Sequence, residues 1–154
     1  MKSVLFVCMG NICRSPLAEG ILQDIAKKDD VYDDIYVDSA GTIENSVGNE
    51  PDERMKLVAG KHGIELFHKA RLITPDDLKI FDYILVADKE VMEIVKQMAA
   101  EYGMKGKLHY IRDFDEDQSS REIPDPYTGS MFAFERCYEL TERSVRGFYR
   151  ELRK

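Results

Sequence analysis

The amino-acid sequence predicts an α/β fold: one domain with a four-stranded parallel sheet flanked by helices on both faces. Short apolar runs alternate along the chain with segments whose apolar residues recur at helical spacing. Strands that alternate with helices favour parallel pairing, because each connection must cross a face of the sheet. The 154 residues suit a single domain with a sizeable core, and they contain no internal repeat or linker.

The first strand is predicted from the unbroken apolar run at residues 3–8, a pattern typical of a strand buried on both faces. A loop that contains Gly10 follows, and then Ser15 and Pro16 suit the cap and the first turn of a helix. The first backbone N–H groups of a helix have no partner within it. The sequence therefore predicts a phosphate-binding loop between this strand and this helix.

Cys8 closes the apolar run, so it should lie in the floor of that loop. The positive end of the helix dipole and the nearby Arg14 would both favour its thiolate form. The Cys-x5-Arg spacing alone proves little, since it recurs at Cys137 and Arg143 and chance predicts roughly 0.2 such pairs. Cys137 follows no strand and lies on an apolar helical stripe, so we interpret it as a core residue.

The other elements follow in order. Further strands are predicted at residues 35–40, 81–87 and 108–111, and helices at 17–28, 52–62, from 74, at 91–102 and at 134–152. Asp52 and Thr74 suit helix N-caps, whereas Gly63 and Gly103 suit helix ends. Residues 112–129 are predicted to form a polar, acidic loop, of a length typical of functional or mobile segments.

Four arginines in the second half of the last predicted helix and just after it are expected to form its solvated face. They are Arg143, Arg146, Arg150 and Arg153.

Composition excludes several classes of protein. A net charge of −7 and a pI near 5.0 argue against a nucleic-acid binder, which usually presents a basic face. Three cysteines are too few for a disulfide scaffold, so the protein is expected to be cytoplasmic and reduced. No apolar stretch approaches 18 residues, so no membrane span is expected.

Two stretches together resemble the low-molecular-weight protein tyrosine phosphatase family. The first is residues 7–16, VCMGNICRSP, and the second is Asp125-Pro126-Tyr127. Supporting matches occur at residues 38–42, 68–71 and 81–85. The resemblance covers essentially the whole chain in the right order, and its first motif is highly specific.

The resemblance implies hydrolysis of a phosphate monoester in two steps. Cys8 would attack phosphorus and form a phosphocysteine, while the planar fork of Arg14 holds phosphate oxygens. Ser15 would hydrogen-bond the Cys8 thiolate, and Asp125 would protonate the leaving oxygen and later activate water. The remaining substrate-binding groups of the loop would be the backbone amides of Met9, Gly10, Asn11, Ile12 and Cys13.

The assignment of Asp125 as the acid depends on this resemblance. From the residues alone it would be one more solvated acid within residues 112–129, but the following Pro126-Tyr127 reverses that interpretation.

The resemblance also suggests supporting roles around the loop. Asn11 would adopt a left-handed backbone conformation, which Asn tolerates, and Ser39 and His68 would brace it by hydrogen bonds. A structural histidine is an equally good interpretation of His68. Cys13 would be able to form a disulfide with Cys8, although a small loop-packing residue explains it as well.

The family also suggests the ligands and the pocket walls. Phosphotyrosine-containing proteins or peptides would be the substrates, and inorganic phosphate or a similar oxyanion would occupy the loop. Tyr127 would wall the pocket, with Thr128 where many relatives carry a second tyrosine, and Asn45 would replace an aromatic residue. No cofactor and no metal are expected, and the protein should be a monomer or self-associate weakly.

Other functions stay open. An arsenate reductase of the same fold would need a further cysteine pair, and residues 64–100 contain no cysteine. In protein arginine phosphatases the position of Ile12 looks to be threonine, so Ile12 favours an aryl phosphate. A non-catalytic phosphotyrosine-binding module could lose Cys8 or Asp125, and both are present. A nucleotide-binding protein is disfavoured, since the loop lacks the Gly-x4-Gly-Lys-Ser/Thr pattern.

Overall fold

The computed structural model describes all of residues 1–154, and its centre is a four-stranded parallel sheet. The strands are β1 (Lys2–Cys8), β2 (Ile35–Gly41), β3 (Tyr83–Val86) and β4 (Lys107–Tyr110), in the order β2-β1-β3-β4. The helices are α1 (Arg14–Lys28), α2 (Glu53–Lys61), α3 (Pro75–Ile80), α4 (Lys89–Tyr102) and α5 (Met131–Leu152). The predicted α/β fold with an all-parallel sheet is confirmed.

Strand β1 lies at the middle of the sheet and divides its side chains between two cores. Val4, Phe6 and Cys8 point into one hydrophobic cluster, whereas Leu5 and Val7 point into the other. This alternation is the period of two that a strand imposes on successive side chains. Cys8 therefore ends the strand on the same face as Phe6.

Helices cover both faces of the sheet. The cluster around Phe6 is closed by apolar residues of α1, α2 and α5, and the cluster around Leu5 by those of α3 and α4. Both faces of β1 are therefore apolar, which explains its unbroken hydrophobic run. No helix of the protein is both long and apolar enough to span a membrane.

Most predicted helix ends are correct. The Asp52 side chain accepts a hydrogen bond from the Arg54 N–H at the start of α2, and Thr74 caps α3 in a reciprocal capping box with Asp77. Gly103 ends α4 with φ of +83°, a value that suits glycine.

The predicted cap of α1 is wrong. The helix begins one residue before Ser15, Cys13 occupies the cap position, and no side chain caps the helix. The Ser15 hydroxyl is instead buried and bonded within the first loop, so it is not available to the helix N-terminus.

The predicted acidic loop is partly structured and partly buried. A short 3-10 helix, Ile111–Phe114, opens it, and the next residue, Asp115, is buried. Arg143 of α5 binds Asp115. Arg143 therefore does not belong to a purely solvated face, contrary to the expectation from the sequence. The 3-10 helix and α5 can approach closely because residue 147 is a glycine. A Cβ atom at Gly147 would overlap the carbonyl oxygen of Phe114.

This close approach predicts a large cost for Gly147→Ala. The added methyl group would push α5 away from the backbone of Phe114, and overpacking of this kind typically costs about 1–3 kcal/mol. Urea unfolding should show that loss in the free energy of unfolding. Gly60→Ala in α2 is the matched control, since a Cβ there would meet no neighbouring group within 4 Å and alanine favours a helix. Equal effects of the two substitutions would contradict the packing argument.

Candidate active site

Cys8 lies at the carboxyl end of β1, where ligands bind in parallel α/β sheets. Its side chain is buried, and its Sγ lies 2.9 Å from the Ser15 Oγ. The backbone N–H of Asn11 donates a second hydrogen bond to the sulfur, at 3.3 Å. The sulfur therefore has two hydrogen-bonding partners within the loop.

The loop after Cys8 presents backbone donors that the protein itself does not use. The N–H groups of Met9, Gly10, Ile12 and Cys13 take part in none of its internal hydrogen bonds. The Met9 and Ile12 carbonyl groups point the other way and accept bonds from Thr42 and Asp52. A run of unused N–H groups before a helix is an arrangement that suits an oxyanion.

Arg14 is almost completely buried, with 1% of its surface exposed. Its Nη1 donates to the Asp88 carboxylate at 2.7 Å and to the Ile123 carbonyl oxygen at 2.8 Å. Burial opposes the charge, but Cys8 and Asp88 together hold the pKa of Arg14 above its usual value. The guanidinium is thus a fixed, permanent cation beside the thiol.

Asn11 holds the loop from behind. Its φ is +58°, the left-handed conformation expected for it, and its side chain is buried. Its amide donates to Ser15 Oγ at 2.8 Å and to Ser39 Oγ at 3.0 Å. Its Oδ1 lies 2.7 Å from His68 Nε2 and accepts from the Arg71 N–H. Ser39 and His68 therefore do contact Asn11.

A buried acid completes this network. The Ser39 hydroxyl donates to Glu19 Oε1 at 2.6 Å, and His68 Nδ1 lies 3.1 Å from the same oxygen. Burial raises the pKa of Glu19 to about 7, against the hydrogen bond from Ser39. Because His68 Nε2 donates to Asn11, one proton between Nδ1 and Oε1 satisfies both groups.

Glu19 was not anticipated from the sequence, since it looks like an ordinary polar position on α1. With Asp38 and His68 it forms a group whose ligating atoms lie within 4.8 Å of one another. All three side chains already have partners: Glu19 bonds to Ser39, and Asp38 accepts from Arg71. The absence of a metal from this protein stays a prediction.

Asp125 is brought close to Arg14 by the fold. The Asp125 Oδ2 lies 3.8 Å from Arg14 Nη2, and 42% of the carboxylate-bearing side chain is exposed. Its Oδ1 accepts a hydrogen bond from the Tyr127 N–H, which orients the carboxylate. The fold therefore brings together groups that lie far apart in the chain.

These groups line a cavity of about 260 Å³. The residues that were predicted from the sequence and that line this cavity are Cys8, Met9, Gly10, Ile12, Cys13, Arg14, Asn45, Asp125 and Tyr127. Asn11 and Ser15 lie behind the cavity wall and act on the loop from within. Ile43 and Ser46 also line the cavity and were missed, because nothing but their closeness to Asn45 in the sequence marked them.

The other two cysteines differ from Cys8 in their surroundings. All three thiols are free, and burial raises the pKa of Cys13 far above its usual value and that of Cys137 to about 12. Cys137 lies in the hydrophobic cluster beside α1, as predicted. Burial opposes the thiolate form of both groups, so the candidate nucleophile is Cys8, the cysteine bonded to Ser15 and Asn11.

A parallel α/β sheet that places a cysteine and an arginine in one anion-binding loop is typical of phosphatases that use a cysteine nucleophile. The carboxylate across the cavity suits the acid that such a reaction needs.

Comparison with known proteins gives the particular family. The family model described as low molecular weight phosphotyrosine protein phosphatase matches residues 3–154. The low molecular weight phosphotyrosine protein phosphatase of Gallus gallus is 39% identical over 149 residues, which cover 96% of this chain and 94% of that protein. The chain therefore belongs to the low molecular weight phosphotyrosine protein phosphatase family.

Solved structures agree with this assignment. A protein tyrosine phosphatase from Entamoeba histolytica superimposes with a TM-score of 0.91 at 30% identity, covering 99% of this chain and 97% of that one. A Drosophila arginine phosphatase superimposes with a TM-score of 0.94 at 34% identity, covering 100% and 99%.

The Asn11 network predicts separate effects of its backbone and its side chain. Asn11→Gly and Asn11→Ala both lose the amide hydrogen bonds, so both should weaken inhibition by inorganic phosphate about tenfold. Alanine also disfavours the left-handed conformation, so the Ala variant should be less stable than the Gly variant by about 1 kcal/mol. Phosphate inhibition constants and urea unfolding test the two parts, and equal stability of the two variants would contradict the backbone argument.

Proposed function

We propose that this chain is a protein tyrosine phosphatase that hydrolyses phosphotyrosine and small aryl phosphates through a phosphocysteine intermediate on Cys8. The observation that carries the proposal is the loop itself: a hydrogen-bonded thiol, a set of unused amides and the fixed Arg14 guanidinium in one cavity. Family membership supports the same reaction.

In the first step the Cys8 thiolate attacks phosphorus, and an S–P bond forms as the P–O bond to the phenol breaks. The loop amides and Arg14 hold the phosphate oxygens while charge redistributes, which is typically the largest catalytic contribution. Asp125, in its protonated form, gives its proton to the departing oxygen. The products are the phosphocysteine and a neutral phenol.

In the second step water attacks the phosphocysteine. The Asp125 carboxylate accepts a proton from that water, and the P–S bond breaks to release inorganic phosphate. The leaving group is then the Cys8 thiolate, which the Ser15 hydroxyl and the Asn11 N–H stabilise by hydrogen bonds.

The cavity walls favour a flat ring attached to the phosphate. Tyr127 and Ile43 both line the cavity, so an aryl group attached to the phosphate would contact apolar surface. Asn45 contributes a polar side chain at the rim instead of an aromatic one. We expect phosphotyrosine-containing proteins or peptides as substrates.

The same reaction sets the protein's other requirements. Neither step uses a cofactor or a metal, and inorganic phosphate or a similar oxyanion occupies the loop as product. We further propose a cytoplasmic protein, since its three thiols are free and its Cys8 must stay reduced. We also propose that it is monomeric or weakly self-associating.

A protein arginine phosphatase is the second candidate. The likeness to the Drosophila arginine phosphatase, at 34% identity, supports it. Ile12 opposes it, because this branched apolar side chain lines the cavity where the family resemblance places threonine in arginine phosphatases. An arsenate reductase is disfavoured because residues 64–100 supply no further cysteine.

Substrate comparison tests the proposal directly. Phosphate release should be fast from a phosphotyrosine peptide and slow from phosphoserine and phosphoarginine substrates. Cys8→Ser should abolish turnover and still bind phosphate, because the hydroxyl is a poor nucleophile while the amides remain. Cys137→Ala is the control, since it changes a buried cysteine of the other Cys-x5-Arg segment and should keep turnover. Preferred turnover of phosphoarginine would establish the second candidate instead.

The assigned acid can be tested by varying the leaving group. Asp125→Asn should lower kcat/KM for phenyl phosphate by about 100-fold, but much less for p-nitrophenyl phosphate, whose leaving group needs little protonation. The ratio kcat/KM covers the steps up to release of the phenol, so it reports the first step even when the second limits kcat. Unchanged kcat/KM for both substrates would show that another group is the acid.

A further inference from the structure

The segment that carries Asp125 is tied to the protein by a buried ion cluster, here called the anchor cluster: Arg112, Asp115 and Arg143. Asp115 has a completely buried side chain, and Arg112 is 5% exposed. Arg143 reaches the cluster from α5 and is 33% exposed. A buried carboxylate between two arginines is strongly held, since removing a partner would leave it without compensation.

The contacts within the anchor cluster are directional. Arg143 binds Asp115 with both of its arms, Nε to Oδ1 at 2.5 Å and Nη2 to Oδ2 at 2.9 Å. Arg112 donates to Oδ2 through Nε at 3.2 Å and through Nη2 at 3.1 Å. The hydrogen bonds from Arg143 hold the pKa of Asp115 below its usual range although burial opposes this. Such paired forks fix orientation as well as distance.

Arg112 links the anchor cluster to the backbone of the segment that carries Asp125. Its Nη1 donates to the Glu122 carbonyl oxygen at 3.2 Å, and its Nη2 donates to the Asp117 carbonyl oxygen at 3.2 Å. The next residue, Ile123, is fully buried, donates to the Ala87 carbonyl oxygen and accepts from Arg14. Asp125 lies two residues further on.

None of the three anchor residues lines the cavity. They connect α5 to the short stretch of backbone that determines where the Asp125 carboxylate stands. A displacement of about 1 Å in a catalytic group can reduce rate substantially, so this connection has consequences for the reaction.

We propose that Arg143 is a positioning residue: through Asp115 and Arg112 it holds residues 115–123 so that Asp125 faces the phenolic oxygen of the substrate. The inference rests on the proposed function, because it concerns the acid of that reaction. Arg143 neither lines the cavity nor contacts Cys8, so its effect on the reaction passes through the backbone of residues 115–123. The loop that binds phosphate is held separately, by Asn11 and its partners.

The test compares Arg143→Met with Arg146→Met. Arg146 lies on the same helix and forms a more exposed ion pair with Glu142 at 3.5 Å, so it controls for the loss of a charge from α5. Arg143→Met should lower kcat/KM for phenyl phosphate about tenfold and for p-nitrophenyl phosphate by less than about twofold. Arg146→Met should leave both values unchanged.

Two further measurements separate positioning from stability. The inhibition constant of inorganic phosphate should stay within about twofold in Arg143→Met, since the loop amides and Arg14 are not altered. Arg143→Lys keeps the charge but lacks the two-armed fork, so it should recover part of the lost activity toward phenyl phosphate. This variant also keeps the test usable if Arg143→Met folds poorly.

The decisive comparison is made in the Asp125→Asn background. If Arg143 acts through Asp125, adding Arg143→Met there should lower kcat/KM for phenyl phosphate by less than about twofold. A full tenfold loss in that background would overturn the proposal, as would equal losses for both substrates in the single variant. If Asp125→Asn itself shows no dependence on the leaving group, the assigned acid fails instead, which distinguishes the two ideas.

Discussion

The buried Arg14 guanidinium is the interaction on which the rest of the site depends. One nitrogen binds the carboxylate that caps α4 and the carbonyl oxygen of Ile123, so three separate segments meet at a single side chain. A buried cation costs free energy unless it is fully paired. Its partners are therefore as necessary as the charge itself: without Asp88 the arginine would be a poorly compensated charge in the interior.

The phosphate loop is rigid for a related reason. Its Met9 and Ile12 carbonyl groups are bonded to residues after β2 and before α2, while the amides of Met9, Gly10, Ile12 and Cys13 form no bond within the protein. Gly41 permits this arrangement, because a Cβ atom there would lie 2.8 Å from the Met9 carbonyl oxygen. The left-handed Asn11 turns the chain, and every buried polar atom of the surrounding side chains has a partner. A loop held in this way needs little reorganisation when charge develops on the phosphate.

Local patterns in the sequence predicted the fold well. The run before Cys8 is apolar because both faces of β1 are covered, and Asp52 and Thr74 mark helix starts through their own side-chain bonds. The prediction for Ser15 failed, since a hydroxyl suits a cap and a buried thiol contact equally well. Long-range pairing was beyond local reasoning: Asp115 looks like its solvated neighbours, and nothing near it in the sequence indicates Arg143.

Some residues of the site could be predicted from the sequence and others could not. Cys8, Arg14 and their loop could be found from residue chemistry and spacing. Asp125 required the family resemblance, because about 117 residues separate it from Cys8 and no periodicity connects them. The role of Glu19 could not be predicted, since it depends on a serine and a histidine that only folding brings next to it.

The cavity is assembled from three stretches that are remote in the chain, around Cys8, Asn45 and Asp125. Contacts between distant residues close large loops, and in two-state proteins they tend to slow folding. A partly folded chain therefore lacks the complete cavity, and under the proposed function phosphate would bind the native state alone. Through mass action, each tenfold increase in phosphate concentration above its dissociation constant would add about 1.4 kcal/mol to the free energy of unfolding. The product of the proposed reaction would thus also stabilise the fold, and its concentration in solution would set part of the protein's resistance to unfolding.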